Sequence, residues 1–362
     1  MNKVPVRVDG RFRLGEVLGS GSYAVVYSAR NIINDDNVAL KLETVVNHSS
    51  SVEREYWILK QLEGGVGIPR TLWFGRESAY HALVLELLGP SLHQLFLANN
   101  RRFSLLNVVN LGVQLLSRLE YIHSHNYVHG DIKPQNILVG LGNLRHTAFI
   151  IDFGITKMYW NTATSDHVPF RHGRSLSGTP AFASINNHLG VEPGRRDDLE
   201  SLTYMLIYFL RGSLPWLTSD DEKLSNSTIL ERKARATIAD ICHDIPVEFA
   251  NILIYTRSLA FAEDPDYDHL RSLLNGLRAT LPAPATCMLD FSQPDGPAIP
   301  PLLSPDGPSI PPPLSPDQCC VAKAISPCPP KVVRRSNSCV TPAEWLHMVC
   351  CVNSTAEIAT GY

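Results

Sequence analysis

The stretch from His129 to Asn136 reads HGDIKPQN, and the fold and chemistry of this chain follow from it. It matches the pattern H-R-D-L-x-x-x-N at histidine, aspartate and asparagine, with Gly130 in place of the arginine. Asp131 can accept the proton of a substrate hydroxyl, and Asn136, five residues further on, can hold Mg²⁺. Lys133 would neutralise charge on a transferring phosphoryl group. The stretch therefore predicts a catalytic loop for phosphoryl transfer.

A second acidic motif lies downstream of this loop. Twenty-one residues after Asp131 the chain reads IIDFG at 150–154, and the carboxylate of Asp152 is a predicted Mg²⁺ ligand. Asp and Asn are common in loops, so one tripeptide carries little weight alone. The motif gains weight from its order and spacing relative to the catalytic loop.

A glycine-rich run lies near the start of the chain. GSGSYA at 19–24, followed by Val26, fits G-x-G-x-x-G-x-V except that Ala24 replaces the third glycine. Small residues between two predicted strands would let backbone N–H groups approach the phosphates of a nucleotide. An ordinary hairpin turn is the alternative interpretation of this run.

The next predicted strand carries a lysine that would bind the same nucleotide. VALK at 38–41 is close to V-A-I-K, whose lysine pairs with the α- and β-phosphates, although an exposed strand lysine is the alternative. Glu55, fourteen residues further on, is the predicted carboxylate partner of Lys41. Glu53 is the competing choice, but a helix places it on a different face. These motifs, in order and at compatible spacing, leave little room for coincidence.

The apolar pattern predicts an α+β fold with two lobes. Short alternating runs at 11–18, 23–30, 37–43, 71–75 and 81–88 indicate an antiparallel sheet. Residues 52–62 have helical spacing and end before Gly64 and Gly65. From Leu105 onward the apolar spacing is mainly helical. A small sheet-rich lobe is therefore expected before a larger helical one.

Composition limits the class of protein. The chain has 362 residues, 44% of them hydrophobic, so it can form a sizeable core. A net charge of −3 gives no indication of a nucleic-acid partner or an anionic membrane surface. The N-terminal residues lack the apolar run of a signal peptide, and the longest apolar window, around 202–210, is too short for a membrane span. We expect a cytoplasmic protein, with nuclear entry open, and reduced cysteines.

The last 80 residues differ from the rest. Of the 26 prolines, 15 lie in 283–362, where an eleven-residue repeat begins at Pro294 and again at Pro305. Such a segment favours extended polyproline geometry and cannot form a core. We therefore divide the chain into an N-lobe with hinge at 1–88, a C-lobe at 89–282, and a disordered Pro/Cys-rich tail at 283–362.

Other runs resemble the casein kinase I family of eukaryotic Ser/Thr protein kinases, over roughly residues 8–280. The resemblance rests on LLGPSL at 87–92, GT at 178–179, ASIN at 183–186 with HLG at 188–190, RRDDLESL at 195–202 and FLRGSLPW at 209–216. Ser-Ile-Asn stands where most protein kinases carry Ala-Pro-Glu, and that substitution marks the family. The chain resembles a divergent, fungal-type member.

The resemblance implies a bilobal kinase that uses ATP and Mg²⁺ to phosphorylate Ser or Thr in proteins. Asp198 would lie on the buried central helix of the C-lobe and support the catalytic loop, and His129 would hold the loop through backbone hydrogen bonds. Asn136 and Asp152 would bind the metal. The expected ATP-binding residues are Leu18, Gly19, Ser20, Gly21, Ser22, Val26, Ala39, Lys41, Leu85 as gatekeeper, and Glu86 and Leu88 in the hinge.

The chain departs from its family in the substrate region. Where the family reads Gly-Thr-Ala-Arg-Tyr-Ala-Ser, residues 178–184 read GTPAFAS, so Ala181 replaces an arginine that helps to bind a pre-phosphorylated substrate. Arg171, Arg174 and Thr179 remain as the expected substrate contacts. Asp220 to Glu222 are acidic where the family is often basic. These changes predict a weakened preference for primed substrates.

Two departures lie closer to the nucleotide. Ala24 adds a methyl group to the phosphate-covering loop, a small change if its φ is negative and a larger one if φ is positive. Gly130 removes an arginine that contacts a phosphorylated activation loop in many kinases, but casein kinase I members generally do not depend on that phosphorylation. A pseudokinase that keeps the fold as an interaction module is therefore the alternative function.

Further features leave alternatives open. His123 and His125 form a His-x-His without further ligands at metal spacing, which favours core or surface histidines. The Pro-rich repeat either docks an SH3 or WW domain or acts as a plain spacer. The paired cysteines at 319–320 and 350–351 would give membrane association only if palmitoylated. A monomer is expected.

Overall fold

The computed structural model describes residues 6–21, 24–44, 50–76, 79–217, 224–281 and 289–291. The chain divides into two units, Met1–Ser292 and Gln293–Tyr362. The second unit lies outside the described residues, and so do the predictions that fall on it: the Pro-rich repeat, its SH3 or WW partners, and the paired cysteines with their lipidation.

The N-terminal lobe is built on an antiparallel sheet. Among the described residues its strands follow the order β1-β2-β3-β4-β6-β5. They span Arg7–Val8 (β1), Phe12–Ser20 (β2), Ala24–Asn31 (β3), Asn37–Thr44 (β4), Thr71–Arg76 (β5) and Tyr80–Glu86 (β6). Along β4, Val38, Leu40 and Leu42 are buried in one small cluster, so Ala39 and Lys41 lie on the opposite face. The five predicted strands are confirmed.

Helix α1, Ser51–Gln61, is the one predicted helix of this lobe. Ser50 caps its first turn by accepting a hydrogen bond from the backbone N–H of Glu53. The helix buries Val52, Ile58 and Leu59 together with the carboxylate of Glu55. A single acidic group on an otherwise apolar face needs a cationic partner, because an isolated buried charge is strongly unfavourable.

The larger lobe is mainly helical, as the apolar spacing predicts. Its helices in the described part of the chain are Leu92–Ala98 (α2), Leu105–Ser124 (α3), Ile185–His188 (α4), Arg195–Arg211 (α5), Asn226–Arg235 (α6), Ile238–Ile241 (α7), Val247–Ser258 (α8) and Tyr267–Ala279 (α9). Helix α5 is buried along most of its length and packs against α3 and α8. Gly112 lets α9 approach α3 closely, since a Cβ there would lie 2.6 Å from Cδ1 of Leu274.

Short paired strands lie in the loop region of the C-lobe. They span Tyr127–Val128 (β7), Ile137–Val139 (β8), Ala148–Ile150 (β9), Lys157–Met158 (β10), Trp160–Asn161 (β11) and Asp166–His167 (β12). β7 pairs with β10, β8 with β9 and β11 with β12, all antiparallel. The stretch from 129 to 136 connects β7 to β8, and Asp152 follows β9, so two strand pairs fix both acidic motifs. The α+β class is confirmed.

The predicted start of the tail at 283 requires a correction. Leu289 is buried in the main core, and its carbonyl contacts Nδ1 of His146 at 2.5 Å. The Phe291 ring packs 4.9 Å from that of Phe103. Proline content does not show where two apolar side chains pack on the folded lobe, so the folded part extends beyond residue 283.

Among the residues that the structure describes, no helix combines the length and apolar character that a bilayer span requires.

Candidate active site

Helix α5 holds the catalytic loop through Asp198. Both carboxylate oxygens of Asp198 accept hydrogen bonds from the loop backbone, from the N–H of His129 at 2.7 Å and from that of Gly130 at 2.8 Å. Burial raises the pKa of Asp198, but the hydrogen bond and charge of His123 outweigh burial, and the pKa lies below its ordinary value. The carboxylate is therefore an ionised acceptor that fixes the backbone of the loop.

Gly130 fits its unusual position by conformation. Its φ is +81°, a region that glycine enters without the steric cost that other residues meet. The loop also lies close to Gly178. A Cβ at Gly178 would lie only 2.6 Å from the Gly130 carbonyl oxygen, so the contact requires glycine there. The loss of the arginine side chain therefore does not strain the loop.

His129 holds the loop through backbone contacts. Its Nε2 lies 3.1 Å from the carbonyl oxygen of Ile151, and its Nδ1 accepts from the N–H of Asp131. The His129 ring also packs edge-on against Phe153, with ring centroids 5.1 Å apart. His129 therefore ties the catalytic loop to the segment that carries Asp152.

Asp131, Lys133 and Asn136 converge as their spacing predicts. Oδ2 of Asp131 accepts from Nζ of Lys133 at 2.6 Å and from Nδ2 of Asn136 at 3.2 Å. The same Nζ donates to Oγ1 of Thr179 at 2.9 Å. Oδ1 of Asp131 is buried and has no hydrogen-bond partner within the described part of the chain. A buried carboxylate oxygen without a partner can accept a proton from a bound hydroxyl.

Across the cleft, Lys41 joins both lobes. Its Nζ lies 2.7 Å from Oε2 of Glu55 and 2.8 Å from Oδ1 of Asp152. Glu53 instead pairs with Arg76. Burial alone would lower the pKa of Lys41, but the two carboxylates outweigh burial and raise it.

Glu55 and Asp152 complete this buried charge cluster. Oε1 of Glu55 accepts from the backbone N–H of Phe153, which anchors the segment after Asp152 to α1. Burial raises the pKa of Asp152, but Lys41 outweighs it and leaves the pKa below its ordinary value. Asp152 has a φ of +68°, in the left-handed region. Non-glycine residues in that region cluster at functional sites.

The glycine-rich turn forms the edge of the same face. Gly19 of β2 lies opposite Val26 of β3, which lies opposite Lys41 of β4. A Cβ at Gly19 would meet nothing within 4 Å, and one at Gly21 only the carbonyl oxygen of Ala24 at 3.7 Å. The turn therefore leaves open space next to its backbone.

Ala24 belongs to β3 and is absent from the residues with positive φ. Its methyl group therefore imposes the smaller of the two changes considered from the sequence. Leu18 and Ser20 lie in β2, while Ser22 lies outside the described residues.

The hinge follows β6. Leu85 lies opposite Ala39 of β4. The backbone N–H of Glu86 donates to the carbonyl oxygen of Arg70 at 3.1 Å, and the Glu86 carboxylate accepts from Arg70 as well. Contacts of Glu86 with a base would therefore use its carbonyl group. Leu88 follows in the same connection to α2.

The free side-chain oxygens of Asn136 and Asp152 fit a divalent metal held partly by phosphates. Asn136 uses Nδ2 for the loop, which leaves its Oδ1 as a ligand, and Asp152 uses Oδ1 for Lys41, which leaves Oδ2. No group of three or more His, Cys, Asp or Glu side chains suited to a metal occurs among the described residues. Mg²⁺ typically takes one or two protein carboxylates together with substrate phosphates. The donor set fits that mode.

Of the three predicted substrate residues, only Thr179 contacts the catalytic loop in the described part of the chain. Thr179 contacts Lys133, whereas Arg174 forms an ion pair with Glu192, and Arg171 is exposed. The carbonyl oxygen of Ala181 accepts from Nε1 of Trp216 at 2.8 Å. Asp220 to Glu222 lie outside the described residues.

Two buried residues that support the site are not predicted from the sequence. His123 is buried with Nε2 at 2.9 Å from Oδ2 of Asp198, and Lys233 is buried with Nζ donating to the carbonyl oxygens of Pro180 and Ala183. The His-x-His run drew attention to His123 but not to its partner. No sequence signal identifies Lys233, because a helical lysine is usually exposed.

A two-lobed α+β fold, with a lysine-glutamate pair in one lobe facing an aspartate-bearing loop in the other, is the architecture of a phosphotransferase that acts on proteins. A family model described as Protein kinase domain matches residues 12–274. The chain therefore belongs to the protein kinase domain family. Membership implies ATP and a divalent metal as cofactors and proteins as substrates.

Proposed function

We propose that this protein is a serine/threonine kinase of the casein kinase I type that transfers the γ-phosphoryl group of Mg-ATP. The proposal rests on two contacts of Lys133: its Nζ donates to Oδ2 of Asp131 and to Oγ1 of Thr179. A lysine two residues after the catalytic aspartate is the Ser/Thr-type feature. Its bridge to Thr179 joins the catalytic loop to the segment that would hold the acceptor peptide.

Asp131 is assigned as the acceptor of the hydroxyl proton. Its second oxygen is held by Lys133 and Asn136, which leaves the unpartnered Oδ1 for the substrate. General-base assistance of this kind contributes on the order of 10²–10⁴ in rate. Lys133 additionally offsets charge on the phosphoryl group during transfer.

Lys41 and Glu55 are assigned to nucleotide positioning. The Lys41 ammonium would contact the α- and β-phosphates while Glu55 fixes its direction. Asp152 and Asn136 would hold Mg²⁺, and the chemistry that the metal supplies there is neutralisation of charge on the phosphate oxygens. Since Lys41 stays charged, the phosphate site keeps its cation across the physiological pH range.

The remaining ATP contacts come from the sheet and the hinge. Val26, Ala39 and Leu85 lie on neighbouring strands and would enclose the adenine from the N-lobe. The carbonyl of Glu86 and the N–H of Leu88 would bind its polar edge. Gly19 and Gly21 would let backbone N–H groups approach the phosphates.

Substrate choice is proposed to be less dependent on priming than in the family. Ala181 supplies no guanidinium, and Arg174 is already paired with Glu192. Charge-assisted pairs with arginine are the strongest way to hold a phosphate dianion. One exposed residue, Arg171, is a weak replacement for such a cluster.

The test uses the full-length protein, casein and labelled ATP, followed by phosphoamino acid analysis. Wild type is expected to label Ser and Thr. Asp131→Asn is expected to lose about a hundredfold or more of turnover, because its role is general-base assistance. The thermal shift produced by Mg-ATP is expected to persist in this variant.

The outcomes separate the two candidate functions. Nucleotide binding without transfer by wild type would assign the chain as a pseudokinase. Transfer by Asp131→Asn within tenfold of wild type would contradict the proposed role of Asp131. Labelled tyrosine as the main product would contradict Ser/Thr specificity.

A further inference from the structure

Glu192 is a buried carboxylate between two cations of the activation segment. It lies just before α5, and its side chain is only 9% exposed. One oxygen forms an ion pair with the Arg174 guanidinium, and the other lies 3.9 Å from Nζ of Lys157. A carboxylate this buried is unfavourable unless it is paired, so these contacts are required to keep it there.

The two cations come from opposite ends of the activation segment. Lys157 belongs to β10 and lies opposite Val128 of β7, the residue before His129 of the catalytic loop. Arg174 lies seventeen residues later, near the substrate end of the segment. Glu192 therefore connects the start and the end of one segment, next to the strand that leads into the catalytic loop.

Backbone contacts place Glu192 on the same stretch. Its N–H donates to the carbonyl oxygen of Arg171 at 2.9 Å, and the N–H of Arg174 donates to that of Gly190 at 3.0 Å. Gly190 has a φ of +71°, and a Cβ there would lie 2.5 Å from the Arg174 carbonyl oxygen. The 171–174 and 190–192 stretches thus lie side by side, and the ion pair closes their contact.

Lys157, which faces the Glu192 carboxylate, has two further cationic side chains nearby, Arg174 and Arg54. Burial lowers the pKa of Lys157, and the positive charges of Arg174 and Arg54 lower it further. Glu192 raises this pKa and so partly offsets them. Arg54 on α1 also donates to the carbonyl oxygen of Gly154. Without Glu192, three cations from α1, β10 and the activation segment would repel one another.

We infer that Glu192 is a positioning residue that holds the activation segment in its active arrangement, in the place where a phosphate group would otherwise be needed. The inference rests on the proposed kinase function. Gly130 contributes no side chain to hold a phosphorylated segment, so a built-in anion removes the requirement for one. Arg174 is consequently engaged in holding the segment and contributes less to substrate phosphate binding.

The test compares Glu192→Gln with Glu231→Gln in the full-length chain. Glu231 pairs with Arg235 one helical turn away on the surface, so its variant removes a carboxylate of equal size from an exposed pair. Glu192→Gln is expected to lower peptide kcat about tenfold or more, because a partly buried charge pair is broken, and to leave KM for ATP within about threefold. Glu231→Gln is expected to match wild type.

Rescue by a free anion separates positioning from folding. Inorganic phosphate is expected to restore at least about half of the kcat lost in Glu192→Gln, because its charges can meet Lys157 and Arg174. Sodium chloride at equal ionic strength is expected to have no such effect. Wild type and Glu231→Gln are expected to show no stimulation by phosphate.

Each outcome decides the inference. Unchanged kcat in Glu192→Gln overturns it, and so does a loss that phosphate does not restore. If Glu192→Gln does not fold, Glu192→Asp keeps the charge but withdraws it by one methylene, and phosphate must raise its kcat or the inference fails. Absence of transfer by wild type would instead overturn the proposed function.

Discussion

The hydroxyl of Tyr267 lies 2.5 Å from Nδ1 of His123, although the two residues are 144 positions apart. The other ring nitrogen of His123 lies 2.9 Å from Oδ2 of Asp198. Ionised Asp198 accepts a hydrogen bond from Nε2, and Nδ1 shares its hydrogen bond with the Tyr267 hydroxyl. The last helix of the C-lobe therefore reaches the catalytic loop through the partly buried Tyr267 and the buried pair of His123 and Asp198.

Tyr267→Phe tests this relay. It leaves Nδ1 of His123 buried without its hydrogen-bond partner, and the expected cost is about 1–3 kcal/mol in the free energy of unfolding. Urea unfolding of the full-length protein measures it. Tyr127→Phe is the matched control, because the Tyr127 hydroxyl has no hydrogen bond to any residue that the structure describes. Equal stability of the two variants would contradict the relay.

Asp152→Asn tests the metal site. The variant keeps the shape of the side chain but removes the charge that faces Lys41 at 2.8 Å. We expect loss of Mg²⁺-dependent ATP affinity and of turnover together, since the carboxylate would hold the metal. Isothermal titration with and without Mg²⁺ measures the affinity. Unchanged affinity and turnover would show that Asp152 does not bind the metal.

Two truncations test the corrected boundary of the folded part. Ending the chain at Ser292 is expected to leave the thermal midpoint nearly unchanged, because a Pro-rich composition favours extended geometry over a packed core. Ending it at Pro282 removes the buried Leu289 and the partly buried Phe291. The expected cost is about 1.5–3 kcal/mol for Leu289 and less for Phe291. The midpoint of the shorter variant should fall by several degrees. Identical midpoints would contradict the packing of residues 289–291.

Ala181→Arg tests substrate choice. In wild type, a peptide with a phosphate three residues before the target serine is expected to gain less than about tenfold in kcat/KM over its unphosphorylated form, equivalent to about 1.4 kcal/mol. The variant is expected to raise that ratio by supplying a guanidinium, while the carbonyl contact with Trp216 persists because it involves backbone. A hundredfold preference in wild type would mean that Arg171 and Arg174 suffice.

His188 gives a pH dependence with a definite sign. Its Nε2 lies 2.9 Å from the Pro180 carbonyl oxygen, and burial together with Lys233 lowers its pKa to about 4 from an ordinary value of 6.5. Between these values the unfolded chain binds more protons than the folded one, so the free energy of unfolding falls as pH decreases from 6.5 to 4.

His188→Gln is expected to weaken this dependence relative to wild type, because glutamine does not titrate. His243→Gln, at a histidine whose side chain is 69% exposed, serves as the control. Urea unfolding at several pH values measures the difference. Parallel curves for wild type and His188→Gln would contradict the assignment.

The sequence determined the elements and the order of the motifs. Alternation of apolar residues located the sheet, because a strand presents successive side chains to opposite faces. Helical periodicity chose Glu55 over Glu53 as the residue facing the sheet, and the contact with Lys41 agrees. These are local properties, set within a few residues of each position.

Contacts between side chains far apart in the sequence depend on the packing of the complete fold. Lys41 and Asp152 are 111 positions apart, and their contact depends on how the lobes close on each other. The same holds for Glu192 with Lys157 and Arg174, and for the packing of Leu289 beyond the predicted boundary. Periodicity states which face of an element is apolar, but the partner of that face is fixed by close packing of the whole core, which no local pattern encodes.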